Sequence, residues 1–168
     1  MASVNIAYGA KVSLAVTALQ SLASSATAGW KSVLVDNQTS TKALDYEIFV
    51  KLTAANTAPA NDKVMYVYLC PAYTTDGGTT WFYSDGGTTT LPTSGDAAYT
   101  IASPNNLIPL GALSYTTANM TCQKLFYMAN VIGQSMPDGF LIIVVNFSGA
   151  ALGTGCVVDY RPITNTVV

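Results

Sequence analysis

Any chemistry in this chain must come from nine carboxylates, three cysteines and a group of aromatics, because histidine is absent. That absence removes histidine-based triads, Cys–His nucleophile pairs and the commonest metal ligand. Asp36, Asp76, Asp85 and Asp96 stand beside Asn, Gly or Ala. A short carboxylate in such a setting either ligates Ca²⁺ or accepts hydrogen bonds from the turn it begins. Their spacing matches no calcium loop, so they read as turn formers. Asp45 and Glu47 could serve as acid and base, but two residues apart on a strand they share one face, which reads as a solvated face. Gly153, Thr154 and Gly155 do not form a phosphate loop: no Lys-Ser/Thr follows and no helix starts there. Cys70, Cys122 and Cys156 are odd in number and widely spaced, unlike a disulfide framework or a zinc site, and read as buried free thiols. The chain therefore carries no catalytic constellation, and no enzymatic activity, metal or cofactor is expected.

The aromatics are the remaining candidates. Tyr66, Tyr68, Tyr73, Trp81, Phe82 and Tyr83 cluster around two Asp-Gly-Gly turns, at residues 76–78 and 85–87. Exposed aromatics beside Asp and Asn are what sugar-binding sandwiches use, and Tyr73, Trp81 and Tyr83 are the candidate ligand or interface residues. Core and interface packing is the simpler reading of the same cluster.

The elements that must position these groups read as strands. Residues 140–145 form a continuous apolar run rich in β-branched side chains, bounded by a Pro-Asp-Gly turn before and a Gly/Ser/Ala loop after. Such a run is a strand buried on both faces. Residues 156–160 resume as a partner strand. Over residues 44–52, Leu44, Tyr46, Ile48, Val50 and Leu52 alternate with Asp45, Glu47, Phe49 and Lys51, which predicts a strand with one wet face. Residues 64–69 are apolar on both faces and end at Pro71. Residues 12–18 alternate as a half-buried strand, with a helix across 17–28 as a weaker option, because Ser and Thr offset the helix preference of Ala and Leu. Residues 94–109 hold two prolines and few periodic signals and read as a long surface connection. About eight antiparallel strands without a long helix predict an all-β, two-sheet β-sandwich, jelly-roll-like, spanning residues 11–168 as one domain behind an N-terminal arm at residues 1–10.

Half of the residues are hydrophobic and only 10% are charged, against about 25% charged in an ordinary soluble domain. A surface of hydroxyls and amides suits a subunit packed against copies of itself or against a larger assembly. The net charge of −2 and the scattered basic residues give no footprint for nucleic acid or for an anionic membrane. No apolar run approaches the ~20 residues of a membrane-crossing helix. The N-terminal residues lack the basic region of a signal peptide and are read as part of the mature protein. Val4, Ile6 and Tyr8, on one face of an uncharged arm, are the candidate capsid or subunit interface: an extended arm of this kind can add a strand to a neighbour's sheet.

Two patches carry a resemblance. The first runs over residues 19–30, from Leu19 through Ser21-Leu22-Ala23-Ser24-Ser25 to Gly29-Trp30, followed by Val35-Asp36-Asn37. The second is Met136-Pro137 followed by Ile143-Val144-Val145-Asn146-Phe147-Ser148-Gly149-Ala150-Ala151-Leu152, then Gly155 and residues 157–160. These patches resemble small virion structural proteins of tailed bacteriophages, among them head decoration (cement) proteins. The resemblance covers both ends of the chain and says little about residues 73–119. It implies a jelly-roll-like subunit, a homotrimer, that binds the major capsid protein on the capsid surface and stabilises the head, with no catalytic residues to carry over. A carbohydrate-binding module of a phage head or tail fibre, with a glycan as partner, is the alternative.

Overall fold

The computed structural model describes residues 4–38, 42–60, 64–86, 88–90, 95–100, 106–133 and 135–167. In chain order the strands are β1 (Val4–Tyr8), β2 (Val12–Ser13), β3 (Ala28–Lys31), β4 (Val35–Asp36), β5 (Asp45–Thr53), β6 (Met65–Thr74) and β7 (Thr80–Tyr83). Then come β8 (Thr88–Thr90), β9 (Ala97–Thr100), β10 (Ile108–Leu113), β11 (Thr121–Tyr127), β12 (Gly139–Asn146) and β13 (Val157–Val167), with one helical turn, α1 (Ala129–Ile132). They form two antiparallel sheets. One runs β1-β13-β5-β11, with β2 also on β13; the other runs β8-β7-β6-β12-β3-β9, with β10 on β6 and β4 on β12. The chain is an all-β, two-sheet sandwich. Its winding is that of a jelly roll: β3, β5 and β6 alternate between the sheets, as do β11, β12 and β13, and β12 closes between β3 and β6.

The core explains the apolar run. Every residue of β12 is buried. Phe140, Ile142 and Val144 join Ile48, Val50 and Leu52 of β5 and Val67 and Leu69 of β6 between the sheets. Leu141, Ile143 and Val145 point the other way, into a second cluster with Trp81, Tyr83, Tyr99 and Leu107. The close approach of β3 to β12 depends on Gly29, where a Cβ would lie 2.6 Å from the Val144 carbonyl oxygen.

Several expectations are corrected. The segment read as an arm is a strand: Val4 to Tyr8 pair with Val167 to Ile163 of β13, in unbroken register. Gly9 continues that contact, its N–H donating to the Pro162 carbonyl at 2.8 Å. The strand expected over residues 12–18 pairs only at Val12–Ser13, and residues 17–21 form turns rather than a helix. There Leu19 is fully buried, and Gln20 replaces a ladder with its side chain, donating to Cys156 O at 2.9 Å and accepting from Cys156 N at 3.2 Å. Asp96 clamps this turn, accepting from Ala18 N and from Trp30 Nε1, both at 2.6 Å. The long connection expected over residues 94–109, of which 94 and 101–105 lie outside the described residues, contains β9 and the start of β10. Tyr99 and Leu107 make it structural by covering the outer face of β12. Leu44 is exposed, and the buried side of the alternation begins two residues later, with Tyr46.

The two patches carrying the phage resemblance meet. Ser25 N donates to Asn146 O at 2.9 Å, and Leu152 N to Leu22 O at 3.0 Å. Asn146 Nδ2 donates to Leu22 O at 3.0 Å, and Gly149 N to Ser24 Oγ at 2.9 Å. Asn146 and Ser148 are fully buried. The Ser148 hydroxyl sits 2.6 Å from Asn146 Oδ1 and 2.7 Å from the Tyr115 hydroxyl. The motifs are an internal fastening of the fold rather than a binding site.

Candidate functional site

The expected turn chemistry is present at Asp76. Its Oδ1 accepts from Thr80 N at 2.8 Å, Thr79 N at 3.0 Å and Thr74 Oγ1 at 2.9 Å. Hydrogen bonds from Thr80 first, and then from Thr74 and Thr79, hold its pKa down at about 2. In the second turn, Gly87 lies outside the described residues. No group of three or more His, Cys, Asp and Glu side chains that could hold a metal occurs among the described residues. The cysteines are free, Cys70 and Cys156 buried and Cys122 half-buried. Burial pushes the Cys122 thiol up to about 11, with the nearby Cys156 adding to the rise.

The aromatic candidates do not form a platform. Trp81 is fully buried, with its Nε1 donating to Gly78 O at 2.9 Å, and Tyr83 is buried beside it. Alternation on β7 turns both inward and leaves Phe82 outward, facing Tyr73 across the β6–β7 ladder. Tyr73 and Phe82 are exposed and flank a depression against Met136, Pro137 and Asp138. Both oxygens of Asp138 are engaged, by Gln38 Nε2 and by Thr74 N. This surface is therefore apolar, with its nearest carboxylate already satisfied.

The more complete site lies on the outer face of the five-stranded sheet, where sequence reading expected only a wet strand face. Registers place Asp159, Phe49 and Leu125 in one row across β13, β5 and β11, and Arg161, Glu47 and Tyr127 in the next. Glu47 is buried and accepts from Arg161 Nε at 2.7 Å and from Nη2. The Arg161 guanidinium also lies over the Tyr8 ring, 4.6 Å from its centroid, tying β1 to β13. Lys11, just before β2, pairs its Nζ with Asp159 Oδ2 at 3.1 Å. A cleft of about 280 Å³ opens between Lys11, Glu47, Phe49, Leu125, Asp159 and Arg161. The missed signal is Asp159 and Arg161, two opposite charges at i and i+2 in an otherwise uncharged C-terminal strand, which need counter-charges on the same face of a neighbouring strand.

Val4, Ile6 and Tyr8 share one face of β1 and are 63%, 68% and 58% exposed. They continue the apolar side chains of this outer face to its margin. β1 ends the sheet.

The fold and this surface define a β-sandwich with an open, uncharged edge beside an amphipathic sheet face. No family model matches the chain, and no curated protein matches it. It is similar to a chain in the structure of infectious bursal disease virus, Gt strain, at 12% identity, a TM-score of 0.18, and coverage of 99% of this chain and 40% of that one. It is also similar to a chain of the infectious bursal disease virus VP2 subviral particle, at 14% identity, a TM-score of 0.19, and coverage of 98% and 40%. The chain thus spans about 40% of the length of those chains. Scores at that level carry no argument about fold or function.

Proposed function

We propose that this chain is a structural subunit of a virus particle, a decoration or cement protein that binds the capsid surface and has no enzymatic activity. The observation that carries the reading is the unguarded edge of β1. Natural sheets protect free edges with Lys, Pro, bulges or short strands, because an open edge invites a foreign strand. β1 has five residues in unbroken register, with no charge, no proline and no bulge. The opposite edge, β11, carries Lys124. A subunit that keeps β1 open has a partner for it, and strand addition by a capsid protein supplies main-chain hydrogen bonds while Val4, Ile6 and Tyr8 fill apolar pockets. The resemblance of residues 19–30 and 35–37, and of 136–137, 143–152, 155 and 157–160, to phage virion proteins supports the same reading.

Binding of purified protein to shells of the encoding virus, prepared without it, tests this. Ile6→Lys places a charge on the edge at a side chain that is 68% exposed, so its melting temperature should stay near that of the parent. Occupancy on shells should fall sharply. Unchanged occupancy would show that β1 is not the attachment edge.

A further inference from the structure

We infer, resting on the capsid attachment proposed above, that the strand received by β1 is an uncharged segment of the capsid protein with apolar side chains at alternate positions, hydrogen-bonded to Val4, Ile6 and Tyr8. Gly9 N donates to Pro162 O at 2.8 Å, so Gly9 and Pro162 are a hydrogen-bonded pair of the antiparallel ladder. Such pairs alternate with non-bonded ones along a ladder. Counting back through the register, Asn5 and Ala7 direct their main-chain groups to Thr166 and Thr164, while Val4, Ile6 and Tyr8 turn theirs to the open side. The other edge of β13 agrees: Ile163, opposite Tyr8, accepts from Leu44 N at 2.8 Å, away from β1. Among the described residues, no hydrogen bond reaches the N–H or C=O of Val4, Ile6 or Tyr8 from that open side.

The open side selects its partner. A strand added antiparallel, like the ladders already present, places a side chain opposite each of Val4, Ile6 and Tyr8 on the same face. There, β-branched and aromatic residues pair best with apolar neighbours. The three side chains are 63%, 68% and 58% exposed, and apolar partners are what remove that surface from water. Charge is selected against. Arg161 is committed to Glu47 and Lys11 to Asp159, and Asp45 Oδ1 accepts from Tyr46 N and Ala129 N. A carboxylate or ammonium seated opposite Ile6 would lose water without a free counter-charge in these rows. Proline is excluded at the bonding positions, because it has no N–H to donate. Two copies paired edge to edge would satisfy the same chemistry, but such an isologous contact closes at two and occupies the edge on both, leaving none for the shell.

Amide hydrogen exchange on the full chain, read by NMR, tests this with short capped peptides of alternating Val and Thr as the probe. In the free chain Ala7 should exchange more slowly than Ile6 and Tyr8, because only Ala7 is bonded to β13. At about ten times its Kd, the peptide should slow Ile6 and Tyr8 about tenfold, toward the rate of Ala7. Peptides with Glu or Lys in place of Val, and one N-methylated at its Val residues, should give no protection, and Ile6→Lys should abolish the effect of the parent peptide. Ala7 exchanging as fast as Ile6 in the free chain, or protection by the charged peptides equal to that by the uncharged one, would overturn the inference. So would Ile6 and Tyr8 amides that are slow in the free chain and speed up on dilution, since a second copy would then hold the edge. Shell occupancy without peptide protection would overturn the strand chemistry and leave the capsid reading; peptide protection in a chain that does not occupy shells would overturn the capsid as its source.

Discussion

The Tyr46 hydroxyl donates to Asn37 Oδ1 at 2.8 Å, and the same oxygen accepts from Ala43 N at 2.8 Å, fastening the start of β5 to the preceding loop. Burial first, then Tyr160 and Asp36, push its phenol from 10.0 up to about 12. A raised pKa means that the folded state holds the proton more tightly than the unfolded chain. The stability this linkage contributes is therefore complete below pH 10 and is lost as pH rises toward 12. Urea melts across that window should show falling stability, and Tyr46→Phe should flatten this part of the curve while lowering stability at neutral pH. A slope identical in both proteins would separate Tyr46 from alkaline unfolding. Glu47 makes a second residue-scale case. Glu47→Gln leaves Arg161 without its carboxylate; because the guanidinium side is 41% exposed, water offsets part of the loss, and about 1–3 kcal/mol is expected in denaturant melts. A loss near zero would make the pair ornamental. Alternation alone assigned Glu47 to solvent, since its partner lies 114 residues away and nothing local reveals such a distance.

At the scale of elements, legibility followed local burial. β12 could be read because both of its faces are apolar, and β5 because its inner face alternates cleanly from Tyr46 to Leu52. β9 could not: Ala97–Thr100 is four residues with one large side chain, Tyr99, too short to show a period, and it acquires its strand from pairing with β3, some seventy residues earlier. β1 was read as an arm because residues 1–10 show no clear periodicity ahead of the first periodic strand; only its ladder to β13 makes Val4–Tyr8 a strand. The candidate site was illegible for the same reason, since it gathers Lys11, Phe49, Leu125 and Asp159 from four separate parts of the chain. The element with the largest expected effect is β12. Ile143 is fully buried in the outer cluster, so Ile143→Ala should cost about 2–5 kcal/mol by denaturant melt. A loss under about 1 kcal/mol would mean that the outer cluster collapses around the gap and contributes little packing.

For the whole molecule, the decisive property is how little charge the surface carries: 10% of residues, with a net charge of −2. Exposed side chains include Val4, Ile6, Tyr8, Tyr73, Phe82, Leu125 and Tyr127, and those on β1 and β11 fall on one face of one sheet. With so few charges to repel a second copy, self-association should rest on apolar contact and edge pairing rather than on ion pairs. Such contact resists salt, because screening acts on charges and not on buried apolar surface. Light scattering of the purified chain should therefore give a mass several times that of one chain, a trimer in the reading drawn from phage virion proteins, and the mass should hold as salt is raised. Ile6→Lys separates the two surfaces. If β1 also joins the copies, the variant becomes monomeric; if the oligomer persists while shell binding is lost, β1 serves the capsid and another face joins the subunits. A parent protein that is already monomeric at high concentration would contradict the assembly reading of the low charge.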